Sequence, residues 1–567
     1  MKTWKTNLEE TKQRYINWWN HKGIILSMWE HFQEGVKPHA DIAPPAPARD
    51  LSQKWFDPQW RAEYLDWYVA HSSLMADMLP VANTQLGPGS LAAILGGVFE
   101  GGEDTIWIHP DPNFNDEIVF NPEHPNWLLH KELLKACKAK ANGNYFVGMP
   151  DLMEGLDVLA ALKGTDMVLL DTVMQPEVLE QQMQQINDIY FKVFDELYDI
   201  IREGDEMAFC YFSSWAPGKM SKLQSDISTM ISQDDYRRFV QPFIREQCQK
   251  IDYTLYHLDG VGAMHHLPAL LEIEELNAIQ WTPGVGEPQG GSPKWYDLYK
   301  KILAGGKSVM ACWVTLEELK PLLDHIGADG VHLEMDFHNE REVEQAMRII
   351  EEYTGSSSSV SADVHTNQPV GEQDNAQESI RIREEKSQEE DRMKPLYDAI
   401  VAGKLEPAVE VTKDAIAAGV LPQDIINGYM ITAMGEVGQR FQDGKAFVPQ
   451  LLMAGRAMKG ALELLKPLLA GNASATIGKI VIGTVKGDLH DIGKNLVASM
   501  LEGCGFEVIN IGIDVTCDKF VEAVKENKAD ILCMSALLTT TMTYMQDVIR
   551  ALEEAGIRDQ VKVMIGG

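Results

Sequence analysis

Residues 480–495 read IVIGTVKGDLHDIGKN. The first six, uncharged and rich in Ile and Val, form a short buried strand, and Gly487 and Asp488 break it. The residues after Gly493 open a helix. In a doubly wound sheet a loop between a first strand and a first helix lies at the carboxyl edge, where ligands bind. His490 with Asp488 two residues earlier makes a ligand–orienter pair: one ring nitrogen faces a metal, and the carboxylate takes the proton on the other. Gly493 permits close backbone approach. Taken alone, Asp-x-His-x-x-Gly also fits a solvated loop histidine beside a helix N-cap.

Working outward, FEVINIG (506–512), ADILCMSAL (529–537) and VKVMIGG (561–567) repeat the strand pattern with helical stretches between them. Residues 478–567 are therefore expected to be a small doubly wound, flavodoxin-like domain. Upstream, apolar positions in LYDAIVAGKLEPAVEVTKDAIAAGV (396–420) recur every three or four residues. Turn signals fall at Gly403, at 419–422 and at Asp443-Gly444, so 393–470 predicts a bundle of about four helices. Residues 354–392 are dominated by Ser, Gln, Glu and Asn, which predicts a flexible linker. Residues 1–353 alternate strand-like runs (TLYHLDG, AIQWTPG, SVMACWV, GVHLEM) with helical ones. That pattern fits an α/β domain, a (β/α)8 TIM barrel, with an open doubly wound sheet as the alternative.

The spacing of three motifs narrows the chemistry. Forty-one residues separate Gly493 from Ser535-Ala-Leu537, and 28 separate Leu537 from Gly566-Gly567. This set resembles the base-off, His-on corrinoid signature of cobalamin-dependent methionine synthase and of methanogen and acetogen corrinoid proteins. The resemblance implies cobalamin as cofactor, with His490 as the lower axial ligand of cobalt. It implies that Asp488 holds the His490 Nδ1–H, that Ser535 completes the relay, and that Leu537, Gly566 and Gly567 line the nucleotide tail. Residues 434–469 resemble the helical cap of the same proteins, in which Met434 and Val437 would shield cobalt. Apolar residues at helical spacing are also plain bundle core. In the family another helix, strand and helix follow Gly-Gly, so a domain ending at Gly567 is expected to be truncated and to lack a fifth strand.

Residues 1–353 resemble the uroporphyrinogen decarboxylase superfamily, in its methylcobamide methyltransferase branch. The resembling stretches are TQLGPGSLAAILGG (84–97), EGLDVLAALKGTDMVLLD (154–171), KLQSDISTMIS (222–232) and YHLDGVGAMHHL (256–267). The order of domains matches the chloromethane-methyltransferase-type fusion. That branch holds zinc through a His-x-Cys pair and a later Cys. Here the pair is His257-x-Asp259, and Glu334 falls near the later position, with Cys312 the nearest thiol. Three readings stand open. Zn2+ or another divalent ion is held by His257, Asp259 and Glu334, with or without Cys312. Alternatively, the same residues act as metal-free acid and base. In the third reading, Asp259 caps a helix and His257 is a core residue. Asp226, in SDIS, is a further catalytic candidate, or else an N-cap.

The function implied is a corrinoid-dependent methyltransferase. Its partners would be a small-molecule methyl donor or a thiol acceptor, together with a reductive activator protein or a second methyltransferase. A corrinoid carrier or sensor is the alternative. Uroporphyrinogen decarboxylation is disfavoured, because a polyanionic tetrapyrrole needs cationic partners and residues 1–50 contain only Arg14 and Arg49 as arginines. Across 567 residues the net charge is −34, which argues against nucleic acid and anionic membrane as partners. Seven scattered cysteines, no long apolar run and no apolar stretch behind the N-terminal lysines fit a cytoplasmic protein. Residues 1–353 carry −25 of the charge, which leaves room for neutral or cationic donors.

Overall fold

The computed structural model describes residues 3–354, 386–469 and 478–566, apart from 103–104, 112–113, 154, 285, 489–491, 504 and 538–540. His490 and Gly567, both expected at the corrinoid, lie outside the described residues. The chain divides into two compact units, Met1–Ser357 and Ser358–Gly567.

The first unit contains β1 (Ile24–Ser27), β2 (Val81–Ala82), β3 (Val98–Gly101), β4 (Ile106–His109), β5 (Phe146–Met149), β6 (Met207–Phe209), β7 (Trp215–Ala216), β8 (Met220–Leu223), β9 (Tyr253–Asp259), β10 (Ala278–Thr282), β11 (Ser308–Ala311) and β12 (Val331–Glu334). Six form one parallel sheet in the order β1-β12-β11-β10-β9-β8. A second sheet runs β2-β5-β6-β7. Its first three strands are parallel, while β7 turns back antiparallel to β6. The β3–β4 hairpin is a further departure from a pure β–α alternation. Strands such as β1, β10 and β11 are buried almost throughout, as expected where helices cover both faces of a parallel sheet.

The intervening helices carry their own start and stop signals. Leu316–Ile326 opens on a capping box: the Thr315 hydroxyl accepts from Glu318 N–H, and the Glu318 carboxylate accepts from Thr315 N–H. Leu319, Leu322 and Leu323 supply its buried stripe. The N-terminal helix Leu8–Trp19 buries Tyr15, Trp18 and Trp19. Trp18 Nε1 donates to the Val309 carbonyl, and the Ser308 hydroxyl donates to the Trp18 carbonyl. This helix therefore covers the amino ends of the strands and leaves the carboxyl ends for chemistry.

The second unit begins with helices Lys386–Val401 and Leu405–Ala417, a third helical stretch over 422–442, and Val448–Leu469. The third contains one π-helical turn, at Ile426–Met430. Ala457, Met458, Ala461, Leu462 and Leu465 recur at helical spacing and pack with Leu396, Ile400, Ala408 and Met430. Gly403, at φ +66°, lets the chain leave the first helix where a side chain would strain the backbone.

The sheet of this unit is β13 (Lys479–Thr484), β14 (Glu507–Asn510), β15 (Ile531–Ser535) and β16 (Lys562–Gly566), parallel in the order β14-β13-β15-β16. Alternation along β13 serves two cores. Ile480 and Ile482 pack with Ala498 and Cys533, whereas Val481 faces Phe520, Val524 and Leu532. The switch point lies between β13 and β15, which places the loop that follows β13 in the crevice. Among the described residues no helix is long and apolar enough to cross a membrane.

Candidate functional site

Two constellations form at strand carboxyl ends, one in each unit. In the second unit Thr484, Ser535 and Gly566 stand in one row across β13, β15 and β16. The three motifs spaced along the sequence thus arrive at one edge, because the first spacing spans two helix–strand repeats and the second spans one. Asp488 is fully buried there. One of its carboxylate oxygens accepts from the Leu537 N–H at 2.8 Å and from the Thr541 hydroxyl at 2.7 Å. Its backbone carbonyl accepts from Asp514 N–H at 3.2 Å. Thr541 was missed by sequence reasoning; its only signal is the threonine run after Leu537. The hydroxyl that meets Asp488 is Thr541's, while Ser535 closes β15 with its carbonyl accepting the Val485 N–H.

Gly487 turns at φ +80°. Side-chain carbons built at Gly493 or Gly566 would meet open space, so the backbone is bare where a large planar ligand would lie. In the bundle, Val437 is 2% exposed and packs with Ala446, Leu451 and Ala454, so it is core. Met434 is half-buried, and Ile431 and Phe441 are exposed on the same helix.

In the first unit, Asp226, His257 and Asp259 bring one ligand atom each within 4.8 Å of one another. Asp226 follows β8, and His257 and Asp259 end β9. Asp226 is the most accessible of the three, and the others are half-buried. Asp226 does not cap its short helix with its side chain, and neither does Asp259, since Gly260 is the N-cap of the turn that follows. Instead Asp226 and Ile227 donate their backbone N–H groups to Asp157, at 2.8 and 3.0 Å. Lys222, itself buried, pairs with Asp151 at 2.5 Å and also donates to Gln224.

Although Asp226 is the most exposed residue of the three, desolvation around its carboxyl and then the neighbouring Asp157 raise that carboxyl above the usual carboxylate range. Burial raises Asp259 too, and lifts Asp157 to about 6. Burial and the Lys222 ammonium pull His257 down to about 3, so its imidazole is neutral at working pH. A neutral imidazole between two carboxylates that resist lone charge is a donor set that a divalent cation satisfies.

Cys312 and Glu334 are not part of that cluster. They stand behind it in a buried chain of hydrogen bonds. His257 Nδ1 pairs with Gln280 Oε1, which faces it across β9 and β10. Gln280 Nε2 donates to Cys312 Sγ at 2.9 Å and to the Thr282 hydroxyl at 2.7 Å. The Cys312 thiol in turn donates to Glu334 at 3.2 Å. Gln280 thereby sets the tautomer that leaves His257 Nε2 toward Asp259, 4.0 Å away. Gln280 sits in the AIQWTPG run, but one polar residue inside a strand gave no sign of its task.

Burial pushes Glu334 up to about 8 from 4.5. The folded chain therefore keeps a proton that the unfolded chain releases above 4.5. This contribution to stability is complete below that value and declines as the pH rises toward 8. Glu334→Gln, which has no proton to lose, is expected to flatten the fall of the unfolding midpoint between those values. An unchanged slope would remove Glu334 as its cause.

Aromatic side chains gather beside His257. Phe212 lies 5.9 Å from the His257 ring, and Trp29 is 5.0 Å from Phe212, 5.3 Å from Tyr211 and 6.3 Å from Trp313 between ring centres. Phe212 and Trp313 both have left-handed backbone, at φ +57° and +55°. Bulky residues pay on the order of 1–3 kcal/mol for such conformations, which persist mainly at functional sites.

Comparison with known proteins adds the following. Residues 393–466 and 478–567 each match a family model described as B12 binding domain. Trimethylamine corrinoid protein 1 of Methanosarcina acetivorans is 46% identical over 172 residues, which cover 30% of this chain and 80% of that protein. Dimethylamine corrinoid protein 1 of the same organism is 48% identical over 163 residues, covering 27% and 76%. A cobalamin-binding protein of Desulfitobacterium hafniense, known from a crystal structure, is 36% identical, with 31% of this chain and 83% of that one covered and a TM-score of 0.28.

Proposed function

This chain belongs to the corrinoid-protein family and binds a corrinoid through residues 393–567, and on that premise we propose that it is a corrinoid-dependent methyltransferase with its donor site in the same chain. The observation that carries the proposal is the convergence of Asp226, His257 and Asp259 at strand carboxyl ends of the first unit. The relatives are named as trimethylamine and dimethylamine corrinoid proteins, and a corrinoid module joined to a second α/β unit with such a site has the parts for methyl transfer in cis. The six-stranded parallel sheet and the parallel strands β2, β5 and β6 of the second sheet are read as arcs of one (β/α)8 barrel of the uroporphyrinogen decarboxylase type, with 393–470 as the cap and 478–567 as the corrinoid domain. What supports a barrel is the in-register run from β8 through β12 to β1 and the position of every candidate residue at one end of it.

The bound corrinoid supplies a cobalt centre able to accept and release a methyl group. The chain's residues do the rest. Asp488, buried and fixed by Leu537 and Thr541, would orient His490, which would hold the cobalt. Gly493 and Gly566 leave room for the ligand. Met434, together with Ile431 and Phe441, offers an apolar face as cover, while Val437 supports it from the core. Asp226, His257 and Asp259 would hold a divalent ion, for which zinc fits one nitrogen and two oxygens. Such an ion would supply a Lewis acid toward a donor or acceptor. Gln280, Cys312 and Glu334 position His257. Residues 354–392 keep both units in one molecule, which raises their effective concentration for each other.

The test is direct. The full chain is loaded with cobalamin and zinc, reduced, and offered methylamines, methanol, methyl ethers and methyl thiols in turn. Conversion of the cobalt absorption spectrum by one donor class is expected. A chain that binds cobalamin, binds no zinc and accepts no donor would instead be a carrier.

A further inference from the structure

Lys222, Gln224 and Asp226 stand two residues apart where β8 ends. Ser225, between the last two, keeps extended backbone. Side chains two apart on an extended chain share one side. There they form a buried polar chain that starts at Asp151, just beyond β5. Asp151 pairs with the Lys222 ammonium at 2.5 Å, and Lys222 donates to Gln224 Oε1. Gln224 Nε2 donates to Asp226 Oδ2 at 3.0 Å. Asp151, Lys222 and Gln224 are 1%, 4% and 3% exposed, so water does not compete for these bonds. The amide has one usable orientation. Turned over, it would set its NH2 against an ammonium and its oxygen against a carboxylate.

The backbone under Asp226 is fixed separately. Asp157 accepts the N–H groups of Asp226 and Ile227, and the Thr229 hydroxyl donates to the Asp226 carbonyl at 3.0 Å. His266 Nε2 donates to the Ser228 carbonyl at 2.8 Å, which ties the same turn to the one after β9. With the backbone held, only the side-chain torsions of Asp226 remain, and one bond to Oδ2 arrests them. His257 is held in the same manner, by Gln280 across β9 and β10. Each glutamine has its far end on a buried group, Lys222 for one and Cys312 for the other. Asp259 differs: its carboxylate accepts no hydrogen bond among the described residues, and Gly260, at φ +74° and in open space, follows it.

We infer that Gln224 is a positioning residue: anchored by the Lys222–Asp151 pair, it presets the Asp226 carboxylate beside His257 before an ion arrives. This rests on the ion-binding reading of the cluster proposed above. A preset side chain loses its freedom on folding rather than on binding, which favours the ion. Loss of a hydrogen-bond partner of this kind lowers metal affinity by about 10–100-fold.

The experiment compares the full chain with Gln224→Met, which keeps the length and packing of glutamine and removes both hydrogen bonds. Zn2+ affinity is measured by competition with a chelator. A second sample is given Co2+, whose high-spin electron-spin resonance is read with the corrinoid kept as silent cobalt(III). Gln224→Met is expected to bind Zn2+ at least tenfold more weakly. Its Co2+ signal is expected to broaden as Asp226 takes up several orientations. Gln224→Asn, an amide one carbon too short to span Lys222 and Asp226, is expected to do the same and serves if the methionine variant folds poorly. Unchanged Zn2+ affinity and Co2+ signal in a folded variant overturn the inference. So does a lowered unfolding midpoint with unchanged affinity, which would make Gln224 a packing residue. If the native chain binds neither ion, the ion reading falls and the inference with it; if the native chain and the variants bind equally, the inference falls alone. If affinity drops as expected and no donor converts the cobalt spectrum, Gln224 keeps its role and the proposed reaction is wrong.

Discussion

His257→Ala is expected to abolish methyl transfer by the full chain while leaving its bound corrinoid spectrum unchanged. The histidine sits at the end of β9, and its Nδ1 is engaged by Gln280, so only Nε2 is available to the cluster. Alanine removes the one neutral nitrogen donor and leaves Asp226 and Asp259 as two carboxylates that repel each other. Metal affinity should fall to background, since a site with two remaining ligands holds zinc poorly. The rate is expected to fall at least about 10²-fold, the scale on which removal of a positioned catalytic group acts. Measuring zinc content, cobalamin spectrum and single-turnover methylation on one sample separates these effects. Normal turnover by the variant would place the donor site elsewhere. Gln280→Leu tests the same logic one step back, because it frees the ring to rotate without removing it.

Asp488→Ala is expected to lose imidazole-on corrinoid binding and to destabilise the second unit. This carboxylate is fully buried and accepts hydrogen bonds from Leu537, 49 residues away, and from Thr541. Alanine leaves a buried hydroxyl without its acceptor, at a cost of about 1–3 kcal/mol, and a part-buried N–H as well, at a smaller cost. It also removes the acceptor proposed for the His490 ring. Asp488→Asn keeps an oxygen for Leu537 and Thr541 but has no charge to favour the His490 proton. It should therefore recover much of the unfolding midpoint and little of the axial ligation. Thermal unfolding and the electron-spin resonance of cob(II)alamin, where nitrogen coupling reports the axial imidazole, read the two consequences separately. An intact nitrogen signature in Asp488→Ala would falsify the orienting role.

Much of the second unit was legible in one dimension. Its strands are short Ile/Val runs, its helices carry regular apolar spacing, and the gaps between the three motifs are crossover lengths, so local pattern and chain geometry point the same way. The loop after β13, the row of Thr484, Ser535 and Gly566, and the four helices ahead of them follow from those signals. Sequence patterning also located the candidate residues of the first unit at strand ends, because residues that close a strand in a parallel α/β sheet share one edge.

What only the tertiary structure decided is which of those residues meet. Asp226, weighed apart from the others, joins His257 and Asp259, while Cys312 and Glu334 withdraw behind Gln280. Val437 goes into the bundle core, and Thr541 takes up Asp488. The aromatic corner unites residues 29, 211, 212 and 313, which share no pattern along the chain. The physical reason is common to all of these. Strand and helix periods fix the face of an element from its neighbours in sequence, but contacts across an edge depend on sheet order and on how far each loop carries the chain before it returns. Composition placed most of the acidity in residues 1–353; the fold brings part of it together at Asp226 and Asp259 beside His257.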